Sequence, residues 1–233
     1  MAEEAKRLIR FNFKSYLADE DRLYDTNIVD AAKEAGIYDE KALYEPVAHI
    51  LGTNRLFADL EAALASAEIG KECEVTIPCE KAAGARNPKN VEYYPLKDFV
   101  NKEKQQYPQP GMTVTVGNKS GTIASVGAGR VKVDFNSPLA GHDLTYKFTV
   151  VEEVTEPLEK AKAVVEADFS TAEGFEFAVS EDKVVVTEPD LCKYDSNWNI
   201  AKYKVVADLR QVLGITRVEF IQVWDILWWT CII

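Results

Sequence analysis

Histidine and cysteine, the residues that most often hold metal ions, are scarce in this chain. Its 233 residues include two histidines and four cysteines, Cys73, Cys79, Cys192 and Cys231. Cysteines this few and this scattered do not suggest a disulfide framework. Cys73 and Cys79 would face the same side of one strand, but two thiols and two histidines make a weak case for a metal site. Small buried thiols are the favoured interpretation, and we expect neither a metal nor a cofactor.

Basic residues and long apolar runs are also in short supply. Acidic residues outnumber basic ones by 38 to 27, which gives a net charge of −11. Such a surface repels phosphate backbones and anionic bilayers, so we expect no nucleic acid and no membrane as partners. The start, "MAEEAKRLIRF", lacks the apolar stretch of a signal peptide. The most apolar run, "DILWWTCII", is far shorter than the roughly 20 residues of a spanning helix. The sequence therefore predicts a cytoplasmic protein.

What the chain does contain is a periodic hydrophobic pattern, and hydrophobic residues make up 47% of it. Residues 7–17 alternate as a strand does, and "EPVAHILG" and "KECEVTIPCE" are two further strand candidates. Between those two lies an amphipathic helix, for which Asn54 is placed to cap the start and Gly70 to follow the end. The apolar face of this helix contains Leu56, Phe57, Leu60, Ala63 and Leu64.

The sequence changes character after Pro88. Short strands ("MTVTVG", "SGTIASVG", "GRVKVDF") and a proline-rich loop indicate a small self-contained unit. It ends at "VDFNSPLAGHDLTY", where Asn136, Pro138 and Gly141 form turns by different mechanisms and predict a corner of fixed shape. A strand with Tyr146 on its apolar side follows. The remainder is predicted as helix, strand, strand, helix, strand, beginning with an exposed helix near Pro157.

Four motifs in order resemble the FKBP-type peptidyl-prolyl isomerases, in particular the SlyD-like branch and its long archaeal relatives. They are "LYDTN", "AGIYDEKALYEPVAHILGTNRLFADLEAAL", "IGKECEVTIPCEKAAG" and "VKVDFNSPLAGHDLTYKFTV". The resemblance covers residues 6–154 and is weaker beyond. It implies an α+β fold, in which an antiparallel half-barrel sheet wraps on one helix. The implied domains are the isomerase domain (1–87 and 134–155), a β-rich insert-in-flap domain (88–133) and a C-terminal α+β domain (156–233).

The resemblance also implies a catalytic cleft. Tyr24 and Tyr146 would clasp the proline ring, the backbone N–H of Phe57 would donate to a substrate carbonyl, and Asp25 would orient polar groups or bias the twisted amide. Taken without the resemblance, the apolar residues of this set are ordinary core residues and Asp25 is a turn residue. The implied substrate-binding residues are Phe13, Val47, Leu56, Leu60 and Ala83.

Two of these residues depart from the family pattern. Phe13 stands where tyrosine is usual, and Ala83 stands where tyrosine or phenylalanine is usual. Loss of one donated hydrogen bond, about 0.5–1.5 kcal/mol net, predicts a weakened isomerase and not an inactive one. The alternatives are a pure holdase with a decayed cleft and an assembly adaptor with one stable partner.

The insert and the tail suggest partners. The insert is expected to bind unfolded or nascent chains through exposed apolar side chains; the alternative is that these side chains fill its own core. The tail carries Trp224, Trp228 and Trp229 beside Leu227, Ile232 and Ile233, which predicts burial in the C-terminal domain or in a homodimer. The proposed chaperone surface consists of Val91, Tyr93, Tyr94, Leu96, Phe99, Met112 and Val114.

Overall fold

A computed structural model describes residues 5–99 and 107–224. These residues divide into two compact units. The first contains residues 5–16, 22–75 and 146–224, and the second contains residues 17–21, 76–99 and 107–145. Among the described residues, no helix combines the length and the apolar character needed to cross a bilayer.

The chain forms twelve strands and four α-helices over the described ranges. The helices are α1 (Val29–Glu34), α2 (Ala58–Ser66), α3 (Pro157–Phe169) and α4 (Ser196–Leu213). The strands are β1 (Leu8–Leu17), β2 (Arg22–Thr26), β3 (Val47–Ile50), β4 (Glu72–Ile77), β5 (Val91–Pro95), β6 (Thr113–Val116), β7 (Lys119–Gly127), β8 (Arg130–Asp134), β9 (Leu144–Glu153), β10 (Glu176–Val179), β11 (Lys183–Glu188) and β12 (Arg217–Gln222).

The first sheet has the order β2-β1-β9-β4, and β3 pairs antiparallel with β1. Because neighbouring side chains of a strand point to opposite faces, Ile9, Phe11 and His49 share one face while Leu8 and Ile50 share the other. This sheet and helix α2, which buries Leu60 and Leu64, confirm the predicted α+β class.

The predicted cap of helix α2 was wrong. Asn54 has a φ of 52°, and Gly52 before it has a φ of 79°, so the chain is still turning at these residues. Asparagine tolerates the left-handed region better than most residues. The helix therefore begins later, at Ala58, and Phe57 precedes it without a side-chain capping bond.

The C-terminal region is a three-stranded sheet, β10-β11-β12, covered by two helices. Strands β11 and β12 run parallel and are joined through α4, which Asp195 caps by accepting the Asn197 N–H at 2.7 Å. The core is centred on Trp198, which is fully buried and packs its ring on Phe169 and Phe175. It continues to Leu8 and Ile50 of the first sheet.

Helix α3 begins at Pro157, as predicted, but its predicted exposure was wrong. Ala161, Ala163, Val164 and Val165 have no exposed surface, because the helix packs against both β3 and α4. The sequence did not reveal this buried stripe, because its apolar residues are small and stand among charged residues.

The second unit contains the sheet β5-β8-β7-β6, whose core is formed by Ile123, Val131 and Val133. The predicted corner is a hydrogen-bonded structure around Asn136. Its backbone N–H donates to Asp134 Oδ1 at 2.8 Å, and its own Oδ1 accepts the Asn87 N–H at 2.9 Å.

Cys79 is not on a strand with Cys73. It starts a short 3₁₀ turn (Cys79–Lys81) after Pro78, which has no N–H to continue the ladder. The proposed same-side pair of thiols was therefore wrong.

Candidate functional site

Three aromatic rings from separate parts of the chain meet on the first unit. Tyr146 of β9 lies 6.3 Å from Phe13 of β1 and 6.3 Å from Phe57, measured between ring centroids. All three side chains are half-buried. Rings at this separation attract one another and leave part of each face open. The result is an apolar surface that remains accessible to a ligand.

Tyr24 and Asp25 lie on β2, where both are exposed. Burial raises the pKa of Tyr146 to about 12, and the charge of Asp25 and then Tyr24 add to that effect. Since a negative carboxylate opposes formation of a phenolate, the Tyr146 hydroxyl stays neutral and able to donate at neutral pH. The backbone carbonyl of Asp25 accepts the Ser15 hydroxyl at 3.2 Å, which ties the two strands together.

The backbone at Phe57 is prepared for donation. Its carbonyl accepts the Glu61 N–H at 2.9 Å, whereas its own N–H has no partner among the described residues. Glu61 also holds the preceding turn, because its Oε1 accepts the Gly52 N–H at 2.6 Å and the Thr53 N–H at 3.2 Å. An unpaired N–H on a fixed turn beside aromatic rings is suited to holding a carbonyl oxygen.

Asn27 is a structural residue of the site that the sequence did not reveal. Its Oδ1 accepts the Phe13 N–H at 2.8 Å, and its Nδ2 donates to the carbonyls of Phe11 (3.2 Å) and Glu45 (2.7 Å). The residue is 6% exposed. It therefore joins the end of "YDTN" to the strand that carries Phe13. The place of Asn27 in the motif was the one signal in the sequence. It was not recognised, because "YDTN" was interpreted as a turn.

The remaining predicted cleft residues differ in position. Leu60 lies on the buried face of α2, Leu56 is half-buried and Val47 is exposed. Val47 lines a cavity of about 700 Å³ with residues of α3 and the chain after it, including Ala167. Ala83 is exposed and belongs to the second unit.

Most of the proposed chaperone surface packs partly on the core of the insert. Tyr94, Leu96, Phe99, Met112 and Val114 are partly buried against that core, Val91 is half-buried, and Tyr93 is 63% exposed. An open cavity of about 360 Å³ lies on this sheet. Its lining includes Tyr94, Phe99 and Val114.

Of the aromatic tail, Trp224 is described and is exposed. Leu227, Trp228, Trp229, Ile232 and Ile233 lie outside the described residues.

Comparison with known proteins gives two matching family models. One, described as FKBP26_C-terminal, matches residues 157–225, and the other, described as FKBP26, IF domain, matches residues 94–139. The first match covers most of the predicted C-terminal domain, and the second covers most of the predicted insert and extends to residue 139.

Curated relatives match about half of the chain or slightly more. A short-type peptidyl-prolyl cis-trans isomerase of Methanocaldococcus jannaschii is 35% identical over 138 residues, which is 59% of this chain and 85% of the relative. An FKBP-type peptidyl-prolyl cis-trans isomerase SlyD of Helicobacter pylori is 32% identical over 120 residues, which is 49% of this chain and 63% of the relative. With the sheet, the helix and the aromatic surface in place, the chain belongs to the family of FKBP-type peptidyl-prolyl cis-trans isomerases and carries an additional C-terminal region.

Proposed function

We propose that this isomerase accelerates rotation about Xaa-Pro bonds of unfolded or nascent chains in the cleft formed by Phe13, Phe57 and Tyr146. Tyr24 and Asp25 border this cleft. The observation that carries the proposal is the unpaired N–H of Phe57 next to two half-buried rings. A proline ring requires an apolar surface, and its neighbouring carbonyl requires a donor.

The mechanism follows from the physics of the amide bond. Rotation must overcome about 18–20 kcal/mol of lost resonance. A twisted amide is less dipolar than a planar one, so an apolar surface that replaces water penalises the planar ground state more than the transition state. The Phe57 N–H holds the substrate carbonyl, the rings hold the pyrrolidine, and Asp25 orients the polar groups. No covalent bond forms or breaks during the reaction.

A matched pair of variants tests the donor. Phe57→Ala and Phe57→Pro both remove the ring, but the proline variant also removes the N–H. Proline fits here because the φ of Phe57 is −58°. Exchange NMR on an Ala-Leu-Pro peptide should show the proline variant about two- to tenfold slower than the alanine variant, the value of one hydrogen bond. Equal rates would exclude this N–H as the donor.

The holdase alternative rests on the departures at Phe13 and Ala83. It requires that the protein suppress aggregation of an unfolded client without accelerating rotation in the same peptide at micromolar concentration. Measured acceleration excludes it.

We also propose that the insert binds unfolded chains. Its exposed Tyr93 and the cavity lined by Tyr94 and Val114 support this. A client held by the insert is at high local concentration for a cleft on the same chain. Replacing residues 88–133 by a short loop should slow isomerisation in an unfolded protein client and leave the rate on a short peptide unchanged. Equal losses on both substrates would contradict the proposal.

The third proposal is a homodimer through residues 157–233. Leu191, Tyr194, Ile200, Tyr203 and Trp224 are each at least 61% exposed, and large apolar groups in such number favour coverage by a second copy. Sedimentation equilibrium at micromolar concentration should give twice the chain mass, and Tyr203→Ser with Ile200→Ser should halve it. A monomeric wild type excludes the dimer.

A cytoplasmic location stays a prediction from the sequence.

A further inference from the structure

The residue two positions before Phe57 is held by the C-terminal region. Arg55 donates through Nη1 to Asp168 Oδ1 at 2.8 Å, and its Nη2 bonds to Asp208 Oδ2. Asp168 lies in the last turn of α3 and Asp208 lies in α4. Their side chains are 0% and 7% exposed, so both carboxylates are almost fully withdrawn from water.

This cluster is balanced in charge but costly to bury. Lys204 contributes a second cation, with its Nζ 3.1 Å from Asp168 Oδ1. The other oxygen of Asp168 is buried without a hydrogen-bond partner. Desolvation of buried ion pairs commonly offsets their attraction, so such a cluster adds little net stability compared with apolar residues of similar size. The cluster does fix the orientation of Arg55, because a guanidinium group bonds to its two acceptors in a set geometry.

The chain segment from Gly52 to Phe57 is therefore anchored from two sides. Glu61 of α2 holds its first residues through the N–H groups of Gly52 and Thr53. Arg55 holds its last residues through the two aspartates. The unpaired N–H of Phe57 lies directly after the second anchor, and the turn between the anchors has positive φ at both Gly52 and Asn54.

We propose that Arg55 is a positioning residue of the isomerase cleft, and that Asp168 and Asp208 of the C-terminal region hold it so that the Phe57 N–H meets the substrate carbonyl. This inference rests on the proposed function of the cleft. It assigns the C-terminal region a part in catalysis that is separate from dimerisation. The region orients the donor segment although neither aspartate touches the substrate.

The test compares Arg55→Met and Asp208→Asn with Glu166→Gln. Glu166 of α3 bonds through Oε2 to Arg10 Nη2 of β1 at 2.7 Å. Its variant therefore loses an ion pair of the helix that carries Asp168 but leaves the bonds of Arg55 in place. Kinetics on the proline peptide are measured in the full chain well below the thermal midpoint of each variant. Arg55→Met and Asp208→Asn should raise KM about two- to tenfold, the value of one displaced hydrogen bond. They should also shift the NMR resonance of the Phe57 amide.

A purely structural role predicts a different result. Partial unfolding lowers the amount of active enzyme, and so the apparent kcat, without changing KM. Unchanged KM and an unshifted Phe57 amide in Asp208→Asn would overturn the inference, as would an equal rise of KM in Glu166→Gln. If Arg55→Met does not fold, Arg55→Lys replaces it, and we expect an intermediate KM because an ammonium lacks the fork that engages both carboxylates.

The two proposals fail in distinguishable ways. If Phe57→Pro is slower than Phe57→Ala while the Arg55 and Asp208 variants match wild type, the cleft stands and the positioning role is wrong. If Phe57→Pro and Phe57→Ala are equal, the assignment of the Phe57 N–H as the donor is wrong and the positioning role falls with it.

Discussion

Replacing Asn27 by alanine should destabilise the protein by about 2–6 kcal/mol. The side chain accepts one hydrogen bond, and its two N–H groups face three acceptors on strand β1 and the chain before β3, so that two acceptors share one N–H. Two of its partners, the Phe13 N–H and the Phe11 carbonyl, belong to a strand at the centre of the sheet. Each buried group left without a partner costs about 1–3 kcal/mol. The other two partners lie on less buried residues, Asn12 and Glu45, where water replaces the lost bond.

Thermal unfolding of the full chain, followed by circular dichroism, measures this effect. For chains of about 150–250 residues, 1 kcal/mol shifts Tm by about 2–4 °C, so Asn27→Ala should lower Tm by about 4–24 °C. Asn12→Ala is the matched control, because it removes one partner of Asn27 at 3.0 Å and leaves the other three bonds. We expect it to shift Tm by less than about 4 °C, one weak bond on this scale. An Asn27→Ala midpoint equal to that of Asn12→Ala would refute the reasoning.

Three further predictions follow from the described contacts. Burial lowers the pKa of His49 below its ordinary value of 6.5, so the stability it contributes is complete above pH 6.5 and declines as the pH falls through the folded-state pKa. In His49→Phe, chemical denaturation should show a free energy of unfolding that declines less steeply with falling pH, and equal slopes in the two proteins would contradict this. A Cβ on Gly121 would lie 2.7 Å from the Phe135 ring and 2.8 Å from the Asp134 carbonyl, whereas one on Gly127 meets nothing within 4 Å. Hydrogen exchange of the insert amides should therefore show that Gly121→Ala destabilises the insert by about 1–3 kcal/mol and that Gly127→Ala does not. Tyr146→Leu removes two ring contacts of 6.3 Å, together about 1–3 kcal/mol, and should lower kcat/KM on the proline peptide by about fivefold or more. Tyr146→Phe keeps both contacts and should stay within about threefold of wild type.

Local pattern was sufficient to predict the elements of the fold. Alternation located β1 and β9, and Pro157 marked the start of α3, which the structure confirms. The corner at Asn136 was predictable as well, because its bonds to Asp134 and Asn87 use side-chain chemistry that favours turns.

Contacts between distant parts of the chain were not predictable. The partners of Arg55 lie 113 and 153 residues away, and those of Asn27 lie in two other segments. A single sequence gives the probability that a residue is polar and buried but not the identity of its partner. The small apolar residues of α3 were hidden for a related reason, since Ala161 and Ala163 contribute little to a hydrophobic pattern yet allow close packing.

The shared core of Leu8 and Ile50 with the C-terminal region has a consequence for synthesis on the ribosome. Leu8 is made about 200 residues before Val205 and Leu209, which are buried in the same core. At about 5–20 residues per second, this delay is about 10–40 s. During that interval the newborn chain exposes the outer face of its own first strand. While it is being translated, this isomerase therefore has an apolar strand face that its own C-terminal region covers only once that region has been made.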